Sequence, residues 1–298
     1  MKTRYILLFL SAIVFLTGCQ KNLSVSTPTS DSQAQNTSQR LMVKSLKEEL
    51  REQEQLQAEI AELEQKLFAR MAMIQDKADS LLATSEAINI AMDVTLHNIA
   101  NFKTTGFKKQ RIHIQDGRIV ETPRIWQQGN FYQTANPLDL VIEGEGFFQI
   151  LQSDGDMTYT RDGNLHLDRY GNIVTSNGDK LDPQITIPVD QVGISVGSDG
   201  SVSVKMDGQS EPQVIGRIEL VRFQNPSGLK AVGRNLFMET PASGQPVVAH
   251  PGYSGLGRIL SGFLEDSNVK IIEELMQLRT LQSWKKGVDQ ALMTIQEE

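Results

Sequence analysis

Over residues 136–178 the chain reads NPLDLVIEGEGFFQILQSDGDMTYTRDGNLHLDRYGNIVTSNG, and this stretch admits little besides antiparallel β structure. Short apolar and β-branched segments at 140–142, 147–151, 157–160, 165–167 and 173–175 are separated by Asp154-Gly155, Asp162-Gly163, Tyr170-Gly171-Asn172 and Asn177-Gly178. Asp-Gly and Asn-Gly supply the positive φ angles that tight hairpin turns require, so the stretch predicts a run of β-hairpins. Further β segments are expected at 184–188, 192–196, 202–206 and 214–223, and the polar run 239–257, with its Gly and Pro, predicts an irregular return. Residues 102–262 thus read as a mainly antiparallel β-domain.

Helix-forming sequence lies on either side of it. Residues 41–99 contain neither Gly nor Pro, and Leu56, Ile60, Leu63, Leu67 and Ile74 fall at heptad a/d spacing, with Gln53 and Arg70 in neighbouring core slots. This predicts a helical stalk over 41–77, read equally as a solvated spacer or an imperfect coiled coil. Over 78–101 a more apolar stripe of Leu81, Leu82, Ile88, Met92, Leu96 and Ile99 needs a partner. The segment 263–298 offers one: Asp266 or Ser267 can cap it, and Leu281, Trp284, Val288, Ala291 and Ile295 repeat at threes and fours. The expected fold class is α+β, with an antiparallel β-domain flanked by terminal helices that pair in coiled-coil fashion, plus the stalk.

The N-terminus speaks to compartment. Lys2 and Arg4 precede an apolar run at 6–16, shorter than the ~20 residues that span a bilayer, and small residues lead to Cys19. Residues 1–18 therefore read as a cleaved signal. Leu16-Thr17-Gly18-Cys19 resembles the bacterial lipobox, so Cys19, the chain's single cysteine, is expected to carry lipid and tie the protein to a membrane. Each buried CH₂ contributes about 0.8 kcal/mol to such anchoring. Gln20 in place of Asp points, by the proteobacterial sorting pattern, to the outer membrane with the protein facing the periplasm. Residues 19–40, rich in Ser, Thr, Gln and Asn, are expected to form a disordered tether.

Composition and motifs argue against several function classes. The net charge is −7 with no broad basic face suggested, so nucleic acid is a poor partner. Gly193-Ile194-Ser195-Val196-Gly197 matches a nucleophile-elbow pattern, but another strand follows where that motif needs a helix. His97, His113, His166 and His250 are dispersed, and Asp154, Asp156, Asp162 and Asp168 lack the order of a calcium loop. Neither metal, cofactor nor small-molecule substrate is expected.

One motif carries a positive reading. His97-Asn98-Ile99-Ala100-Asn101-Phe102-Lys103-Thr104-Thr105-Gly106-Phe107-Lys108 closes the first long helix, and Asn98, Ala100, Asn101, Thr104, Gly106, Phe107 and Lys108 match the signature NNxANxxTxGFK. Gln128-Gly129-Asn130, Asn136-Pro137-Leu138-Asp139-Leu140, Gly144-Glu145-Gly146-Phe147-Phe148, Tyr159-Thr160-Arg161-Asp162-Gly163, Phe223-Gln224-Asn225-Pro226, Gly262-Phe263-Leu264-Glu265 and Ser267-Asn268-Val269 follow in order. Over residues 78–298 the chain resembles the bacterial flagellar basal-body rod and hook family. The resemblance implies a structural, non-catalytic subunit whose terminal helices assemble with other rod or hook subunits, or with copies of itself, while the β-domain forms an outer layer. The assembly helices would use Leu96, Ile99, Val269, Ile272, Leu281, Trp284 and Val288. Family members begin near residue 78 of this chain, so its leading segment is a departure. An envelope lipoprotein using a rod-like domain as a binding module is the alternative.

Overall fold

The computed structural model describes residues 30–297. Cys19, the expected signal and the first part of the expected tether lie outside the described residues. The chain falls into two units, Met1–Met73 and Ile74–Glu298. Every described residue of the first belongs to helix α1, Ser30–Ala100, so the helical state already holds over residues 30–40 of the expected tether. Side chains from Asn36 to Met73 are exposed, Leu56, Ile60, Leu63 and Leu67 included.

In the second unit the final turns of α1 bury Ala87, Ile88, Ala91, Thr95 and Asn98, a single face at spacings of three and four. Helix α2, Ile271–Glu297, buries Leu281 against this face. A tight hairpin, His113–Gln115 with Arg118–Glu121, turns through Asp116 and Gly117, both at positive φ, and adds Ile112 and Ile114 to the cluster of Ile88, Ala91, Leu281, Met92 and Val288. The helices therefore meet at a small shared cluster, with the hairpin between them. Neither Asp266 nor Ser267 caps α2: its first residue is Ile271, and the chain between them is held by hydrogen bonds to the β-domain.

The β-domain follows its turn chemistry closely. Strands at Leu140–Glu143, Phe147–Leu151, Met157–Thr160, Leu165–Leu167 and Ile173–Thr175 match the predicted segments almost residue for residue. Most belong to a nine-stranded sheet that runs from Lys230–Gly233 through Leu236–Met238, Met157–Thr160, Phe147–Leu151, Lys180–Asp182 and Ile173–Thr175 to Leu165–Leu167. Leu140–Glu143 instead pairs with the late strand Arg258–Ser261, and Phe263–Glu265 pairs with Phe131–Gln133, so the chain's return is stitched to its entry. Gln191–Val196, Ser201–Met206 and Gln213–Arg217 form a separate three-stranded sheet.

Some expected elements resolve differently. Asp162-Gly163 is no hairpin turn: Met157–Thr160 pairs with Leu236–Met238 and Phe147–Leu151, whereas Leu165–Leu167 pairs with Ile173–Thr175. Gly163 is there because a Cβ on it would sit 1.7 Å from the carbonyl oxygen of Leu140. The segment 184–188 contributes an isolated bridge, Asn172 to Thr186, rather than a strand. The segment 214–223 divides into Gln213–Arg217 and Leu220–Arg222, because the buried Ile218 marks the point where the chain changes sheet. The return 239–257 is irregular apart from the short strand Val247–Ala249.

The core is apolar and fully enclosed, with Leu140, Phe148, Ile150, Leu165, Ile173 and Leu181 at its centre. Beside it an edge-to-face aromatic group joins Phe147, Tyr159, Phe223 and Phe237 to Trp126. Replacing Gly163 by Ala is expected to destabilise the β-domain by about 3 kcal/mol, because backbone rather than a yielding side chain blocks the new methyl. Gly178→Ala, whose Cβ meets open space at φ +87, should cost only about 1–2 kcal/mol. Urea unfolding midpoints of the two variants check the difference.

Candidate functional site

The signature 97–108 lies where α1 gives way to the β-domain, and its Asn98, Asn101 and Lys108 side chains hold backbone. Asn98 is buried on α1, and its carboxamide acts as a strand would: Oδ1 accepts from the Gln110 N–H (3.0 Å) and Nδ2 donates to the Gln110 carbonyl (2.8 Å). It also donates to Glu274 on α2 (3.1 Å). Asn101 Nδ2 donates to the His97 carbonyl (2.8 Å), and the Thr104 hydroxyl donates to Asn101 Oδ1 (3.1 Å), closing the helix end as its sequence predicts. Gly106, at φ +66, donates its N–H to the Glu265 carbonyl, and a Cβ there would meet the Arg161 backbone at 2.6 Å. Phe107 is buried edge-on to His97. Ala100 is exposed.

Lys108 is among the largest fully buried side chains. Its ammonium bonds Glu265 Oε1 and donates to the Gln127 carbonyl (3.0 Å). Glu265 is 1% exposed, accepts the Gly129 N–H (2.8 Å), and takes Arg161 through Nε (3.2 Å) and Nη2 (2.8 Å). Arg161 spends its remaining donors on the carbonyls of Ile142, Gly144 and Gly146, each at 2.8 Å. Two cations thus face one carboxylate, and backbone carbonyls supply the remaining negative potential. Burial is the main influence on Lys108 and pulls its ammonium below the usual lysine range, with Glu265 opposing. For Glu265 burial pushes upward, but Arg161 and then Lys108 outweigh it and hold the carboxyl below its ordinary 4.5.

A second polar group fixes α2. Lys109 bonds Glu274 (3.1 Å), and Asn268 accepts the Lys109 N–H (2.8 Å) while donating to the carbonyls of Ile125 (2.7 Å) and Gln127 (3.0 Å). All of these bonds are internal, so the site positions chain segments rather than reactants. Among the described residues no group of three or more His, Cys, Asp or Glu side chains is placed to hold a metal ion. Ser195 lies inside the strand Gln191–Val196, opposite Ser203, with no helix following it.

The residues expected on the assembly helices divide. Val269 and Leu281 are buried within the chain, and Ile99 and Val288 are half-buried. Leu96, Ile272 and Trp284 stay exposed, at 48%, 71% and 57%, together with Leu275, Met276 and Met293. The sequence did not single out Arg161, Lys109, Glu265 or Glu274 for these roles, although the first three stand in or beside a quoted motif. The available signal was a charge closing an apolar strand, as in Thr160-Arg161 and Leu264-Glu265.

Because the folded-state value for Glu265 lies below the unfolded one, its contribution is complete above pH 4.5 and is lost as pH falls from there through the folded value. Glu265→Gln, which strands two buried cations, is expected to lose about 3–5 kcal/mol at pH 7. Asp162 has the opposite sign: burial chiefly, opposed by the Asn164 N–H and aided by Asp139, raises it from 3.8 to about 6. Its charge burdens the fold above that value. Asp162→Asn should therefore stabilise at pH 8 and change little near pH 3, which urea unfolding at the two pH values checks.

A family model described as the flagellar hook protein FlgE/F/G D1 domain matches residues 141–204. Flagellar basal-body rod protein FlgG of Caulobacter vibrioides is 40% identical over 225 residues, covering 66% of this chain and 86% of that protein. FlgG of Buchnera aphidicola subsp. Schizaphis graminum is 38% identical over 221 residues (65% and 85%), and FlgG of Borreliella burgdorferi is 38% identical over 225 (65% and 84%). With most of each relative's length matched, and with the motif residues meeting at one junction, this chain belongs to the flagellar basal-body rod and hook protein family, whose members are structural proteins and not enzymes.

Proposed function

We propose that the protein is a membrane-tethered structural subunit of the flagellar basal body, supporting assembly of the rod and hence motility, with lipid on Cys19 as the tether. The observation that carries this reading is the exposed apolar set Leu96, Ile272 and Trp284 on two helices that are already joined to each other within the chain through Ile88, Ala91 and Leu281. Large apolar side chains left exposed on helices so held mark an interaction surface. Other rod or hook subunits, or further copies of this chain, are the partners proposed for it. Leu96→Asp is expected to weaken assembly while leaving the β-domain folded. Sedimentation of the purified variant beside the parent, with circular dichroism on both, checks this, and unchanged assembly would count against the surface.

The tether rests on sequence. Among the described residues no helix is long and apolar enough to cross a membrane, and the lipobox-like Leu16-Thr17-Gly18-Cys19 supplies a different attachment. Outer-membrane placement, facing the periplasm, follows from Gln20. Fractionation of cells and detergent-purified basal bodies, with Cys19→Ala alongside, tests it: the parent should accompany basal bodies and the variant should leave the membrane. The alternative is a lipoprotein that contacts the rod through this domain without entering it. The segment ahead of residue 78, where the resemblance to the family begins, favours that reading, and a parent protein found in membranes but never with basal bodies would select it.

A further inference from the structure

We infer that residues 50–73 of α1 pair antiparallel with the same residues of a second copy of this chain, about a two-fold axis at Ala61–Glu62. Throughout this segment α1 is helical and its side chains are exposed. Leu56, Ile60, Leu63 and Leu67 are each more than half exposed, an apolar stripe without cover among the described residues.

The order of residues along the stripe says what covers it. The a/d positions run Gln53, Leu56, Ile60, Leu63, Leu67, Arg70, which is polar, four apolar, polar, and reads the same from either end. In an antiparallel pair each a position faces a d position of the other helix. Setting Ile60 against Leu63 of the second copy then sets Leu56 against its Leu67 and Gln53 against its Arg70. Most flanking positions agree: Glu59 faces Lys66 of the second copy on one side, while Leu50 faces its Met71 and Gln57 its Glu64 on the other; at the margin Glu52 faces its Met73. Every core layer joins apolar to apolar or polar to polar.

Parallel self-pairing fails the same test. It stacks Arg70 on Arg70 within the seam and brings Glu59 beside Glu64, so like charges meet both at the core and at its edge. Lys66 now bonds Glu62 on its own helix at 2.7 Å, but that i,i+4 pair is largely exposed and is readily exchanged for Glu59 of the second copy. A two-fold contact of this kind closes on itself, so it makes dimers and stops. It is thus separate from the surface at Leu96, Ile272 and Trp284, and it rests on neither that surface nor the lipid.

Two tagged versions of the full chain, one Leu56→Cys and one Leu67→Cys, are co-expressed and mildly oxidised, with the unsubstituted chain controlling for disulfides through Cys19. The expected result is a mixed disulfide between the two variants and no disulfide when either is expressed alone. Lys66→Glu should abolish the mixed disulfide, and Glu59→Lys with Lys66→Glu should restore it. Disulfides within each variant expressed alone would overturn the proposal in favour of a parallel pair. Absence of any disulfide, in chains whose β-domain resists proteolysis like the parent's, would overturn it in favour of an unpaired stalk or a different partner.

Discussion

The carboxylate of Glu265 is the point on which the second unit depends. It sits 1% exposed between the ammonium of Lys108, on the chain leaving α1, and the guanidinium of Arg161, at the end of a central strand. A buried ion group of this kind adds little net stability over an apolar core of the same size. What it fixes is geometry. Arg161 carries the carbonyls of Ile142, Gly144 and Gly146 with it, Glu265 carries the Gly129 N–H, and Lys108 carries the Gln127 carbonyl, so one knot sets the relative positions of segments far apart in sequence.

The packing around that knot is backbone against backbone. A Cβ at Gly129 would lie 2.0 Å from the Asp266 carbonyl oxygen, one at Gly257 2.3 Å from the Glu143 oxygen, and one at Gly163 1.7 Å from the Leu140 oxygen. Several glycines that look like turn residues in sequence are therefore contact residues. They allow the chain's return, 257–268, to lie directly on its entry, and the hydrogen bonds from Asp266 N–H to Asn130 and from Asn268 N–H to Phe107 complete the seam.

This explains what could and could not be read from the residues. The strands of 136–178 were legible because turn chemistry and strand pattern are local, and they appear within a residue of their predicted bounds. The pairing of Leu140–Glu143 with Arg258–Ser261 was not, since register between distant strands leaves no local mark. Asp162-Gly163 misled for the same reason: a close approach by Leu140 and a hairpin turn ask for the same residue. The signature residues marked the site, and Asn101 and Thr104 act as helix-end bonds as their chemistry suggests. Asn98, however, bonds the Gln110 backbone twelve residues on, and the burial of Lys108 depends on Glu265, 157 residues away. The expected cap at Asp266 or Ser267 failed because α2 starts only at Ile271, after Asp266 and Asn268 have bonded the β-domain and Ser267 Oγ has accepted the Val269 N–H.

The near coincidence of the chain's entry to the β-domain and its exit has a mechanical meaning. Gly106 through Lys109 enters beside Glu265 through Asn268, held by hydrogen bonds from Gly106 N–H to Glu265 and from Lys109 N–H to Asn268. A tension applied between the last turns of α1 and the start of α2 would pass across this short bridge. The strands beyond it would carry almost none of the load. A domain inserted in this way can be strained at its root, or altered at its far side, while the two helices keep their spacing.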